Sequence, residues 1–167
     1  GGQALAIACD VTKREDNVRA VNEAVAHFGA LDAIVLNAGA TMWAKFEDIE
    51  DPSMLDRLMQ VNYMGAVYGV HAALPYLKKS RGRIVGIASL TALTGVPTRS
   101  GYAASKHAMR GFFDSLRIEL AEHGVSVTMI YPGFVATGIR ENAVSASGES
   151  AKVDPVDPAK VMSVEEC

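Results

Sequence analysis

No Gly-rich turn of the kind that cradles a pyrophosphate occurs anywhere in the 167 residues, although the chain holds 15 glycines. Within this stretch, then, the usual backbone cradle for a dinucleotide's phosphates is missing. Cysteine is scarce as well. Cys9 lies in an apolar segment and Cys167 is the last residue, a pair that excludes a disulfide framework. Basic excess is absent: 16 Lys and Arg face 19 Asp and Glu, for a net charge of −3, which gives no reason to expect nucleic-acid binding. The densest basic cluster is Lys78, Lys79, Arg81 and Arg83 around Gly82, and it reads as a solvated helix-to-strand loop. His27, His71, His107 and His123 are widely spaced without a ligand pattern, so no metal site is expected. The most apolar long stretch, residues 54–77, is interrupted by Asp56, Arg57, Gln60, Asn62 and His71, which makes it a buried helix and not a membrane span. The first residues show neither a basic segment nor a leader-like apolar run, so a cytoplasmic location is expected.

What is present is an ordinary globular composition, 49% hydrophobic and 21% charged, in a chain of single-domain length. Continuous apolar runs at residues 4–9, 31–36, 83–89 and 125–131 read as strands. Between them, residues 14–28, 51–78 and 100–122 read as helices. The first carries a stripe of Val18, Val21, Val25 and Phe28, is capped from Asp10-Val11-Thr12 and ends at Gly29; the second is expected to bend near Pro75. Strands that are apolar throughout and separated by helices indicate a parallel sheet covered on both faces, an α/β fold. Asp10, Asn37, Ser89 and Pro132-Gly133 all fall at carboxyl ends of strands, the edge at which open α/β sheets bind ligands. Residues 138–158 change texture, with Gly138, Ser145, Ser147, Gly148, Ser150, Pro155 and Pro158, and read either as a flexible lid or as a tail. A helix is expected to start at Asp157-Pro158.

The chemistry concentrates in Tyr102-Ala-Ala-Ser-Lys106, where a phenol and an ammonium four residues apart share a helix face. An unperturbed phenol with a pKa of about 10 is a poor base near neutrality. An ammonium at ~4–5 Å with an effective dielectric of ~20 favours phenolate by ~3–4 kcal/mol, or roughly 2–3 pKa units. Lys106 is therefore the expected activator of Tyr102, and Ser89, thirteen positions earlier, is the candidate to hold a substrate oxygen or simply to cap a turn. Asn62, inside the long apolar helix, reads as a hydrogen-bonding residue that can bend it.

Asp10-Val11-Thr12, Asn37-Ala38-Gly39, Val61-Asn62, Ser89, Tyr102-Ala-Ala-Ser-Lys106 and Pro132-Gly133 with Thr137 together resemble the classical short-chain dehydrogenase/reductase family in residue type and separation. Tyr102 to Leu120, especially Gly111-Phe-Phe-Asp-Ser115, also resembles hydroxysteroid-dehydrogenase-like members. The resemblance implies a Rossmann-like doubly wound parallel sheet of order 3-2-1-4-5-6-7. Residues 4–9 would form its third strand, preceded by a turn at Gly1-Gly2, with the first two strands and the last absent. Residues 1–167 are thus expected to be part of a single NAD(P)-binding catalytic domain, with a shortened protein of different sheet arrangement as the alternative.

The family's activity is hydride transfer between NAD or NADP and an alcohol or ketone, with Asn62, Ser89, Tyr102 and Lys106 as the implied catalytic set. Lys106 is implied to bond the nicotinamide ribose, and Asn62 to belong to a proton relay through water. Asp10 and Val11 are implied at the adenine, Asn37, Ala38 and Gly39 beside the cofactor, and Pro132, Gly133 and Thr137 at the nicotinamide. Leu90, Leu93, Val96, Phe134 and Val135 suggest an apolar substrate wall for a small-molecule alcohol or ketone; Trp43 and Phe46 read as packing or interface residues. Met54, Leu55, Leu58, Met59, Met64, Val67 and Val70 are compatible with burial or with a homodimer or homotetramer interface. An epimerase or dehydratase, a non-catalytic nucleotide-binding protein and an inactive fragment are the competing functions.

Overall fold

The computed structural model describes residues 2–151 and 156–167; Gly1 and Pro155 lie outside the described residues, as does the 152–155 part of the expected 138–158 lid. Three strands, β1 (Ala33–Leu36), β2 (Arg83–Ile87) and β3 (Ser126–Ile130), form one parallel sheet in sequence order. Ile34 is level with Ile84, and Ile84 with Val127. This is the expected parallel α/β, Rossmann-like architecture.

The helices connect these strands. α1 (Arg14–Phe28) precedes β1 and ends at Gly29, whose φ of 85° is one a glycine adopts without strain. The cap differs from expectation. Lys13 is the N-cap, while the Asp10 carboxylate accepts from the Thr12 N–H at 3.0 Å and the Thr12 hydroxyl at 2.7 Å, closing the turn before the helix instead of the helix itself. The expected long second helix is three pieces: α2 (Met54–Met59), a π turn over Gln60–Met64, and α3 (Gly65–Ser80). Its interruption is at Asn62, not near Pro75, which sits inside α3 without ending it. The reason is tertiary: the Asn62 amide bonds outside its own helix, as described below, and a widened turn is what lets it reach. α4 (Ser100–Glu119) follows β2, and Gly124 (φ 68°) turns the chain into β3.

Ile34, Leu36, Ile84, Val127 and Met129 share one face of the sheet and pack with Val21 of α1, Val70 and Leu77 of α3, and Met109, Phe113 and Leu116 of α4. Right-handed crossovers taken successively in one direction put their helices on the same face. Among the described residues the second face is therefore not covered as the apolar runs suggested, and Val35 on β1 is 58% exposed.

Residues 4–9 are not a strand. They run outside the sheet and are exposed except for half-buried Ile7, because no neighbouring chain offers their backbone a ladder. Beyond β3, Met42 bridges Val144, Val135 bridges Met162, and Ala143 and Val144 are buried. Asp157-Pro158 opens a single 3-10 turn, Pro158–Lys160, with the Asp157 carboxylate accepting from the Ala159 N–H.

Candidate active site

At the carboxyl end of β1 the chain turns through Asn37-Ala38-Gly39, and at the end of β2 it reaches Ser89. Ser89 caps a short 3-10 turn, Leu90–Ala92, by accepting the Thr91 N–H at 3.3 Å. The end of β3 is fastened to this turn, because the Leu90 N–H donates to the Pro132 carbonyl at 3.1 Å. Three of the strand-end motifs thus lie along one edge.

α4 brings Tyr102, Ser105 and Lys106 to that edge, all buried. The Lys106 Nζ donates to the Ile87 carbonyl at 2.9 Å and lies 5.9 Å from the Tyr102 ring centroid. Burial without a compensating carboxylate lowers its pKa from 10.5 to about 8. Burial also raises the Tyr102 pKa above 10.0, opposed by the neighbouring Ser89 hydroxyl, the charge of Arg99 and the neighbouring Thr91 hydroxyl. In the free chain desolvation outweighs the Arg99 charge and the nearby hydroxyls, so the depressed phenol expected from the Tyr–Lys spacing is not found.

Asn62 is 1% exposed and fully engaged. Its Oδ1 accepts from the Ala40 N–H at 2.8 Å, while Nδ2 donates to the Ala40 carbonyl at 2.9 Å and to the Ser105 hydroxyl at 2.8 Å. Ser105 in turn donates to the Tyr102 carbonyl at 2.8 Å. The side chain expected on sequence grounds to bend a helix therefore ties the loop after β1 to the helix carrying Tyr102. A Cβ on Gly39 would stand 3.3 Å from the Asn62 Oδ1 and 3.7 Å from the Lys106 Nζ, so Gly39 keeps open the space beside both groups.

The remaining candidates are spread along the same edge and beyond it. Val11, Asn37 and Ala38 line an apolar cleft of about 250 Å³ between α1, β1 and the start of α3. Asp10 lines a neighbouring polar recess of about 550 Å³ with Thr12, Arg57 and Gln60. Neither recess includes Tyr102 or Ser89. Gly133 lies beside Leu90, Val135 is half-buried, and the Thr137 N–H closes a tight turn onto the Val135 carbonyl at 2.8 Å. Leu90, Leu93 and Phe134 are 51%, 48% and 38% exposed, and Val96 is half-buried.

Arg99, Thr91 and Ser105 escaped the sequence reading. For Arg99 a signal existed: it precedes Tyr102 by three residues at the entrance to α4, the spacing of a shared helix face. Ser105 lies inside the Tyr–Lys motif, but only the distant Asn62 reveals its use. The described residues contain no cluster of His, Cys, Asp or Glu suited to a metal, and no described helix is long and apolar enough to cross a membrane.

A parallel sheet with phenol, ammonium, hydroxyl and amide groups gathered at its carboxyl edge defines a Rossmann-like α/β chain with a polar site at the strand ends. The chain belongs to the short-chain dehydrogenase family, whose profile matches residues 1–148. It is 39% identical over 146 residues to 11-beta-hydroxysteroid dehydrogenase 1A of Arabidopsis thaliana, covering 87% of this chain and 42% of that protein. The chain thus spans less than half the length of this curated relative. A short chain dehydrogenase from Burkholderia cenocepacia, solved in complex with NADP, superposes with a TM-score of 0.77 at 27% identity, over 87% of this chain and 62% of that one. NAD+-bound xylitol dehydrogenase matches at 30% identity and a TM-score of 0.72, over 78% and 50%.

Proposed function

We propose that the protein carrying this chain is an NAD(P)-dependent oxidoreductase that interconverts a secondary alcohol and a ketone, with Tyr102 as general acid and base. The observation that carries this reading is the constellation of buried Tyr102, Lys106 and Asn62 with half-buried Ser89 at the carboxyl edge of a parallel sheet in a short-chain dehydrogenase chain. Gly39, open beside Asn62 and Lys106, fits the close approach of a flat cofactor ring and ribose. Lys106, Asn37, Ala38, Gly39, Pro132, Gly133 and Thr137 would hold the nicotinamide half, and Asp10 and Val11 the adenine. When bound, that cofactor supplies the hydride.

The chain's own residues supply the proton route. In reduction the Tyr102 phenol donates to the carbonyl oxygen that Ser89 holds; in oxidation the phenolate accepts the alcohol proton. Lys106 favours the phenolate when it carries its charge. Asn62 fixes the loop after β1 against the helix that presents both groups. The half-exposed apolar side chains of Leu90, Leu93 and Phe134, with Val96 and Val135, suit a largely hydrocarbon substrate. A hydroxysteroid-like alcohol is the finer reading, supported by the identity to plant hydroxysteroid dehydrogenases. The described residues 138–151, which follow Thr137, would lie over this wall as its lid. A cytoplasmic homo-oligomer belongs to the same proposal, supported by exposed free Cys9 and Cys167 and by Ile118, 79% exposed on α4.

Cofactor-dependent turnover of apolar ketones by the full-length protein tests the reading. Tyr102→Phe should cost about 10²–10⁴-fold in kcat while cofactor affinity changes little. Unchanged turnover in that variant would remove Tyr102 from the chemistry.

A further inference from the structure

Arg99 is 5% exposed at the entrance to α4. Its guanidinium carbon lies 3.5 Å from the Trp43 ring centroid, 5.3 Å from that of Tyr102 and 5.7 Å from that of Phe134. Its Nη1 donates to the Thr41 hydroxyl at 3.0 Å. The backbone beside it is fixed too. Thr98 adopts φ 66°, a left-handed conformation that a β-branched residue takes only under restraint, and its carbonyl accepts from the Ala44 N–H at 3.0 Å. Segments 41–44 and 98–102 are thus clamped together with the guanidinium between Trp43 and Tyr102.

We propose that Arg99 is a positioning residue for the reaction, a permanently charged group fixed on Trp43 that governs how readily the Tyr102 phenol gives up its proton. The proposal rests on the acid–base reading of Tyr102 and adds a second cation to it. Among the described residues, the charged and polar groups facing Tyr102 are Arg99 at the entrance to α4, Lys106 within it, and the Ser89 and Thr91 hydroxyls of the preceding loop. Met42, Ala44, Leu58 and Val144, which pack with the Tyr102 side chain, are uncharged.

The two cations differ in the pH range over which they act. Lys106, lowered to about 8, sheds its proton before the phenol, raised above 10.0, begins to ionise. A guanidinium keeps its charge throughout. In the cofactor-free protein Arg99 is therefore the cation still present when phenolate forms, and its charge acts on Tyr102 in the direction that favours ionisation. Stacking on Trp43 holds it in place through the titration.

The test is a tyrosinate absorbance titration of the full-length, cofactor-free protein, each variant read against the same variant carrying Tyr102→Phe. Arg99→Gln, which retains a donor for Thr41 but no charge, should lower the phenol ionisation constant about tenfold, within the roughly hundredfold ceiling that a unit charge ~6 Å away sets at an effective dielectric of ~20. Arg99→Lys should stay within about threefold of wild type, because it keeps the charge. Arg99→Met provides the same neutralisation should Arg99→Gln not fold, with circular dichroism confirming the fold of whichever is used. An unchanged midpoint in a folded neutral variant overturns the proposal, as does an equal shift in Arg99→Lys, which would assign the effect to packing. Turnover separates this from the catalytic reading. If Tyr102→Phe turns over normally, the proposed function fails while the titration still decides whether Arg99 governs the phenol. If the function stands, the acidic limb of the oxidation pH profile, where the rate rises as the phenol ionises, should move to higher pH in Arg99→Gln.

Discussion

Lys106 illustrates how one residue can oppose folding and serve chemistry. Its ammonium is buried and bonded to a neutral carbonyl, so the folded state binds the proton less tightly than the unfolded chain does: about 8 against 10.5. The unfolded state therefore holds more protons between these values, and stability from this group rises as pH climbs through that window. Below pH 8 the cost is present in full, up to about 3 kcal/mol for 2.5 units. Lys106→Met in the full-length protein should thus exceed wild type in stability at pH 7 and lose that margin by pH 10.5, as read by urea denaturation at both pH values. A margin independent of pH would show that the ammonium is not desolvated in the folded state. Tyr102 has the opposite sign: its raised phenol keeps its proton longer when folded, so stability from it falls as pH rises past 10.0.

At the scale of elements, the π turn at Gln60–Met64 joins two halves of the site. Asn62 supplies both hydrogen bonds of the Ala40 backbone and one to Ser105, linking the loop after β1 to α4. Asn62→Ala would strand the half-buried N–H and carbonyl of Ala40 and take one donor from the Ser105 hydroxyl, costing about 2–4 kcal/mol. Hydrogen exchange at the Ala40 amide should accelerate beyond what the global loss of stability explains; an Ala40 amide as protected as before would mean another group replaces the bond. This element was only half legible in the sequence. An asparagine in an apolar helix signals a hydrogen-bonding duty, but its partners lie 22 and 43 residues away in the chain, and no local pattern reveals them. Pro75, by contrast, is a strong local signal that misleads: α3 absorbs it without ending.

For the molecule as a whole, the helices described shield one sheet face, while Val35 at 58% and Ile130 at 45% exposure mark the other. β1 forms one of the two free edges of the sheet among the described residues, since residues 4–9 do not pair with it. An open parallel edge above an apolar cleft of about 250 Å³ is a surface prone to association. The 167-residue chain expressed alone should bind a hydrophobic dye and scatter light in proportion to concentration, and Val35→Lys should reduce both. A monodisperse chain that leaves the dye dark would show that this face is covered in solution.

The parallel α/β class, helix α1 with its glycine stop, the body of helix α4, and the grouping of Ser89, Tyr102 and Lys106 were legible in the sequence, because these depend on hydrophobic period, turn residues and fixed helical spacing, although α4 stops at Glu119, short of the expected Gly124. The tertiary structure alone decided the rest. Residues 4–9 have a strand's composition, yet a strand exists only when a neighbour pairs its backbone. Asn62 has a polar amide, yet only packing shows it holding Ala40 and Ser105. Arg99 is an unremarkable cation in the sequence, and only the stack on Trp43 sets its charge beside Tyr102. Local propensities are written residue by residue, whereas electrostatic environment and backbone pairing belong to groups that meet only after the chain has folded.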